Sequence, residues 1–96
     1  MGTVEVENVN KPGRTTPLDA DKYHAMRTAI LAVTPTELPG MTAAEMVEAV
    51  VPLLPETQFP GGQKAGWWHK AVQLDLEAKG LLVRDTRSKP LRWHLP

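Results

Sequence analysis

The residue types able to do chemistry gather in the last third of the chain. His69, Lys70 and Gln73 follow one another at helical spacing, and Arg84, Arg87, Lys89 and Arg92 surround a polar turn. A glutamine amide can pair with adenine in bidentate fashion, and a lysine can reach guanine or a phosphate. Arginines on a ribbon would hold phosphate oxygens and set register without reading sequence. Lys64 stands where a helix begins, and His69 can donate to a base edge or to the backbone. Lys64, His69, Lys70, Gln73, Arg84, Arg87, Lys89 and Arg92 therefore form the candidate DNA-binding set. Glu77, on the same helical arc, would repel a phosphate chain.

Charge is neutral overall, with 11 Lys and Arg against 11 Asp and Glu, but it is unevenly spread. Residues 1–60 carry four bases against eight acids, a net of −4, and residues 61–96 carry seven bases against three acids, a net of +4. A fold that puts the last third on one side would give a basic face.

Other chemistry is unmotivated. Cysteine is absent, and Ser88, the single serine, sits in a turn. His24, His69 and His94 fall on different elements without metal-ligand spacing. Glu45, Glu48, Asp75 and Glu77 are accounted for by caps and solvated helix faces. The run PGGQKAG at 60–66 lacks the Walker spacing and a preceding strand, so it reads as a loop before a helix. No catalytic residue, metal, cofactor or small-molecule ligand is implied, and the chain is not expected to be an enzyme.

These side chains need elements to position them. Ninety-six residues are enough for one domain. Residues 1–16 are polar and read as a flexible N-terminal arm, with a short extended piece where Val and Glu alternate; residues 17–96 read as the domain. A first helix is expected from Thr16-Pro17 to Thr34, with Tyr23, Met26, Ile30 and Val33 inward. Thr42 and Glu45 form a capping box for a second helix that buries Met46, Val47 and Val50. Residues 54–63 form a loop anchored by Phe59.

The third helix, 64–79, is the clearest element, closed by Gly80 as a left-handed cap. On a helical wheel Ala65, Trp68, Val72 and Leu76 form one apolar stripe, and Trp67, Ala71, Leu74 and Ala78 the adjoining one. Gly66, His69, Lys70, Gln73 and Glu77 are left as a wet polar arc. Residues 81–85 and 91–95 alternate across a turn as a hairpin. Trp68 is expected in the core; Trp67 and Trp93 either fix the hairpin against the helix, or one of them stays partly exposed as an anchor. The fold class expected is mainly α with a small β-hairpin, a winged helix-turn-helix of three helices and a C-terminal two-stranded wing.

The run KAGWWHKAVQLDLEAKGLLVRD, with PLRWHL after it, resembles the helix-three-and-wing portion of bacterial winged-helix proteins; Leu76, Gly80, Leu81 and Leu82 carry the match. An early tryptophan in helix three is similar to the N-terminal domain of Mrr-like restriction proteins. KYHAMRTAIL, FPGGQKAGWWHKAVQLDLEAKG and PLRWH together resemble a small bacterial family of unknown function over roughly residues 3–95, a likeness that transfers no functional residues. The link at 52–63 departs from the three or four residues usual between the helices of a helix-turn-helix.

The leading expectation is a DNA-binding protein using the third helix and basic hairpin on double-stranded DNA. The alternative is a protein–protein interaction module gripping a partner or a second copy through Trp93 and the N-terminal arm. No apolar run approaches a membrane span, and a chain without cysteine suits a reducing, cytoplasmic setting.

Overall fold

Val and Glu alternate along the start of the chain, so an extended conformation puts the valines on one face. In the computed structural model, which describes residues 2–96, Thr3–Glu7 is strand β1 and pairs antiparallel with β2, Thr15–Asp19. The Ala20 amide donates to the Gly2 carbonyl at 3.0 Å and fixes the phase of the ladder. Since bonded and non-bonded pairs alternate, Glu5 opposite Pro17 and Glu7 opposite Thr15 are non-bonded pairs whose backbone groups face outward. Pro17 thus sits where a strand needs no donor toward its partner, and it blunts the outer edge of β2.

This corrects the expected arm. Met1 lies outside the described residues, but the rest of 1–16 supplies β1 and the start of β2. Pro17 lies in a strand rather than opening a helix.

Helix α1, Ala20–Val33, begins instead at Asp19, whose side chain accepts from the Lys22 amide at 2.9 Å. It ends at Thr34, before Pro35, with the Thr34 hydroxyl donating to the Ile30 carbonyl at 2.7 Å. Strand β3, Met41–Thr42, leads directly into α2, Ala43–Val50. The Glu45 amide donates to Thr42 Oγ1 at 3.2 Å and the Thr42 amide to Glu45 Oε1 at 2.9 Å, closing the capping box. That backbone hydrogen bond holds the Glu45 carboxyl below its usual range. After two short 3₁₀ turns, α3 runs Ala65–Ala78. Gly80, at φ 74°, terminates it: the Leu81 amide donates to Leu76 and the Gly80 amide to Glu77, at 2.9 and 3.1 Å.

Strands β4, Val83–Asp85, and β5, Arg92–His94, pair antiparallel, and β3 adds to the other side of β5. The sheet order is β3-β5-β4, with Trp93 opposite both Met41 and Arg84. Gly40 locks this junction. Its φ is 84°, and a Cβ there would fall 2.2 Å from the Trp93 carbonyl oxygen.

The architecture is therefore mixed α/β, three helices with a two-stranded and a three-stranded sheet. It is not the mainly α winged helix with a single C-terminal wing. The physical reason lies in α3, which is enclosed from more than two sides. The β1–β2 hairpin and α1 pack against it, as does α2, and Trp93 of β5 lines a cavity with it. All of residues 72–76 are buried as a result. Met26, Ile30, Met46, Val50, Phe59, Val72 and Leu76 make up the most deeply buried core.

Candidate interaction site

The expected polar arc of α3 is divided by the packing. His69 is 1% exposed and Gln73 5% exposed, so neither presents a base-reading edge. Gln73 Nε2 donates to Glu77 Oε2 at 3.1 Å. Glu77 also receives a two-point contact from Arg84, at 2.7 and 3.0 Å, and the Arg84 guanidinium lies 5.8 Å from the centre of the Trp93 ring. Arg92 donates to the Gly40 carbonyl at 3.0 Å and meets Glu45 at 3.4 Å. Arg87 pairs with Asp85 at 3.3 Å; the Arg87 backbone amide and then its side chain pull the Asp85 carboxyl down. Lys79 pairs with Asp75 at 2.8 Å. Most of the C-terminal bases are thus matched with acids inside the molecule. Of the eight predicted residues, Lys64, Lys70, Arg87 and Lys89 are exposed, and the fold does not gather the eight on one open face of α3.

Asp75, expected on a solvated face, is fully buried. Its Oδ1 accepts from the outward-facing Glu7 amide at 2.8 Å, and its Oδ2 accepts from the Tyr23 hydroxyl at 2.5 Å and from Lys79 Nζ at 2.8 Å. One carboxylate so ties β1, α1 and the end of α3 together. Burial, then the Asp75 carboxylate, raises the Tyr23 hydroxyl above its usual range. Burial works against the charge on Lys79, yet its hydrogen bond and attraction to Asp75 raise the ammonium overall. Charge-assisted bonds of this kind contribute about 1.5–3 kcal/mol each, which marks Asp75 as a structural tie.

Two depressions flank α3. The larger, about 510 Å³, lies between α3 and the β1–β2 hairpin. Val6, Leu18, Trp67, Ala71 and Leu74 give it apolar walls, and Lys11, Arg14 and Lys70 add positive charge against Glu7. Trp67 is 59% exposed, while its ring is held edge-on against Trp68 with centroids 5.2 Å apart. The second, about 390 Å³, lies between α2, α3 and β5, and shares Gly66, Lys70 and Leu74 with the first. His69 and Trp93 line it, and His69 Nε2 and Trp93 Nε1 are buried without a hydrogen-bond partner. An unpaired buried polar group costs about 1–3 kcal/mol. Burial also depresses the His69 imidazole to about 4.

Reading the sequence missed Lys11, Arg14 and Trp67 as neighbours. Half of the signal was present: Val alternates with polar residues over 3–9 and the turn-forming run Asn10-Lys11-Pro12-Gly13 follows, whereas the partner strand, TTPLD at 15–19, has no alternation to mark it. Of the two alternatives left open for Trp93, packing or exposure as an anchor, the fold takes packing: Trp93 is 5% exposed. The loop amide of Gly61, in the glycine-rich run, is already occupied by Glu56 Oε1 at 2.8 Å.

Among the described residues no cluster of metal-ligating side chains occurs and no helix is long and apolar enough to cross a membrane. Residues 3–93 match the model of a family of unknown function, DUF6958, and the chain belongs to that family. No curated protein and no solved structure matches it.

Proposed function

We propose that this chain is a non-catalytic protein-interaction module that binds an acidic segment of a partner protein in the groove between the β1–β2 hairpin and α3. The observation carrying this reading is Trp67, more than half exposed at a groove with an apolar floor. Exposing so large an aromatic group is unfavourable unless something covers it, and tryptophans seated in concave surfaces dominate binding energies. Its contact with Trp68 limits its rotamers beforehand, which lowers the ordering cost on association. Lys11, Arg14 and Lys70 favour carboxylates in the bound segment and speed encounter.

The test is site-specific. A photo-reactive residue at Ala71, inside the groove, should give one protein adduct in cells of the source organism. Trp67→Ala should abolish that adduct, while Lys89→Glu, on the β4–β5 turn outside the groove lining, should leave it intact. An adduct unaffected by Trp67→Ala would sink the reading. So would a labelled DNA duplex retarded by the wild-type protein with affinity falling steeply in salt, an outcome that would restore the DNA-binding expectation.

A further inference from the structure

The smaller cavity is unlike the groove because two of the residues lining it carry unsatisfied hydrogen-bonding groups. His69 comes from α3 and Trp93 from β5, elements far apart in the chain, yet both side chains line one space. Each is more than nine-tenths buried, and each keeps a ring nitrogen with no partner. Buried polar groups in folded proteins are nearly always paired, and each exception calls for an explanation. Two exceptions beside one cavity of about 390 Å³, within the size range of small-molecule sites, have a common one.

We infer that this cavity is a binding site for a small molecule carrying a carboxylate on an apolar body. The indole Nε1 of Trp93 can only donate, so its partner must be an acceptor. The His69 imidazole is neutral at ordinary pH and carries one N–H, which the tautomer can place on Nε2. A carboxylate offers two oxygens and accepts from both rings. The charge around the cavity agrees: Lys70 and Arg84 line it and no carboxylate does. Arg84 is committed to Glu77, whereas Lys70 makes no ion pair among the described residues. Ala44, Val47 and Leu91 offer the apolar body its contacts. Both nitrogens are closed off from solvent, so a ligand reaches them only when a lining side chain swings aside. This site does not depend on the partner groove, although Gly66, Lys70 and Leu74 border both.

The experiment titrates the full chain, labelled with ¹⁵N, with benzoate and hexanoate, using benzamide as the uncharged match. Triple-resonance assignment of the wild-type protein identifies the three indole N–H signals, so no core substitution is needed. Saturable shifts of the Trp93 indole and the His69 ring nitrogens are expected, with the Trp68 indole unmoved. Benzamide should bind about tenfold more weakly or worse, and Lys70→Glu should weaken benzoate by a similar factor. Ala44→Phe, at an exposed position on the cavity wall, should block the shifts without unfolding the chain. The inference is overturned by the absence of a saturable Trp93 shift with either acid, by equal binding of benzamide, or by shifts confined to the Trp67 indole. That last pattern would report the partner groove alone.

Discussion

Tyr23 on α1 donates its hydroxyl to Asp75 on α3 across 2.5 Å, and these residues, 52 positions apart, meet inside the core. The same carboxylate takes the Glu7 amide, which β1 has free because of its hydrogen-bonding phase. Removing the acceptor strands several donors, while removing one donor leaves the carboxylate with others. Asp75→Ala is therefore expected to cost about 3 kcal/mol or more, and Tyr23→Phe about half of that. Urea unfolding midpoints for the two variants check the order. Equal losses would mean that Asp75 does not act as a shared acceptor.

Protonation of His69 predicts an acid-side loss of stability. Its folded value is lowered from 6.5 to about 4 by burial, so the unfolded chain binds the proton more tightly. The contribution is fully present above about pH 6.5 and is lost progressively as pH falls toward 4, by on the order of 3 kcal/mol at the limit. Unfolding free energies measured between pH 7 and pH 4 should decline, and His69→Phe should flatten that decline. A histidine whose NMR titration midpoint lies near 6.5 would contradict it.

How far the sequence carried depends on whether a signal was local. The Thr42–Glu45 box and the Gly80 cap involve neighbours in the chain, and both are legible as residue patterns. The buried stripe Ala65, Trp68, Val72 and Leu76 is legible for the same reason. What surrounds α3 is not local. A helical wheel shows which residues share a face, but only the partners decide which faces are dry. Here β1 and α1 cover the Asp75 side, and Trp93 with α2 borders the His69 side, leaving Trp67 outside. The hairpin was overlooked because Pro17, a good helix opener, is equally at home on the outer edge of a strand. The candidate site inherited both misreadings, since Lys11 and Arg14 reach Trp67 only through that hairpin.

Glycine at 40 is predicted to be irreplaceable, and glycine at 80 only preferred. Both have positive φ, at 84° and 74°, so any side chain pays the left-handed cost of about 1–2 kcal/mol. At Gly80 a Cβ meets nothing within 4 Å, whereas at Gly40 it meets the Trp93 carbonyl oxygen at 2.2 Å. That carbonyl belongs to the central strand β5 and cannot move without disturbing its pairing to β3 and β4. Gly80→Ala should lower the thermal midpoint modestly, and Gly40→Ala should lower it severely or prevent folding. Comparable midpoints would show that the Gly40–Trp93 approach is looser than its distance implies.

Trp67 and Trp68 are adjacent and identical in type, so replacing each in turn separates packing from recognition. Trp68 is 8% exposed and meets Phe59 edge-on at 6.2 Å, inside the cluster that includes Met46 and Leu76. Its truncation to Ala should cost about 3–5 kcal/mol, as for large aromatics in a packed core. Trp67 is 59% exposed, so Trp67→Ala should change stability by about 1 kcal/mol or less, chiefly through its lost edge contact with Trp68. Guanidinium unfolding followed by circular dichroism measures both without relying on tryptophan emission. If Trp67→Ala proves as damaging as Trp68→Ala, Trp67 belongs to the core and its exposure marks no binding surface. A small loss from Trp67→Ala, coupled with disappearance of the partner adduct, assigns the two rings to opposite tasks.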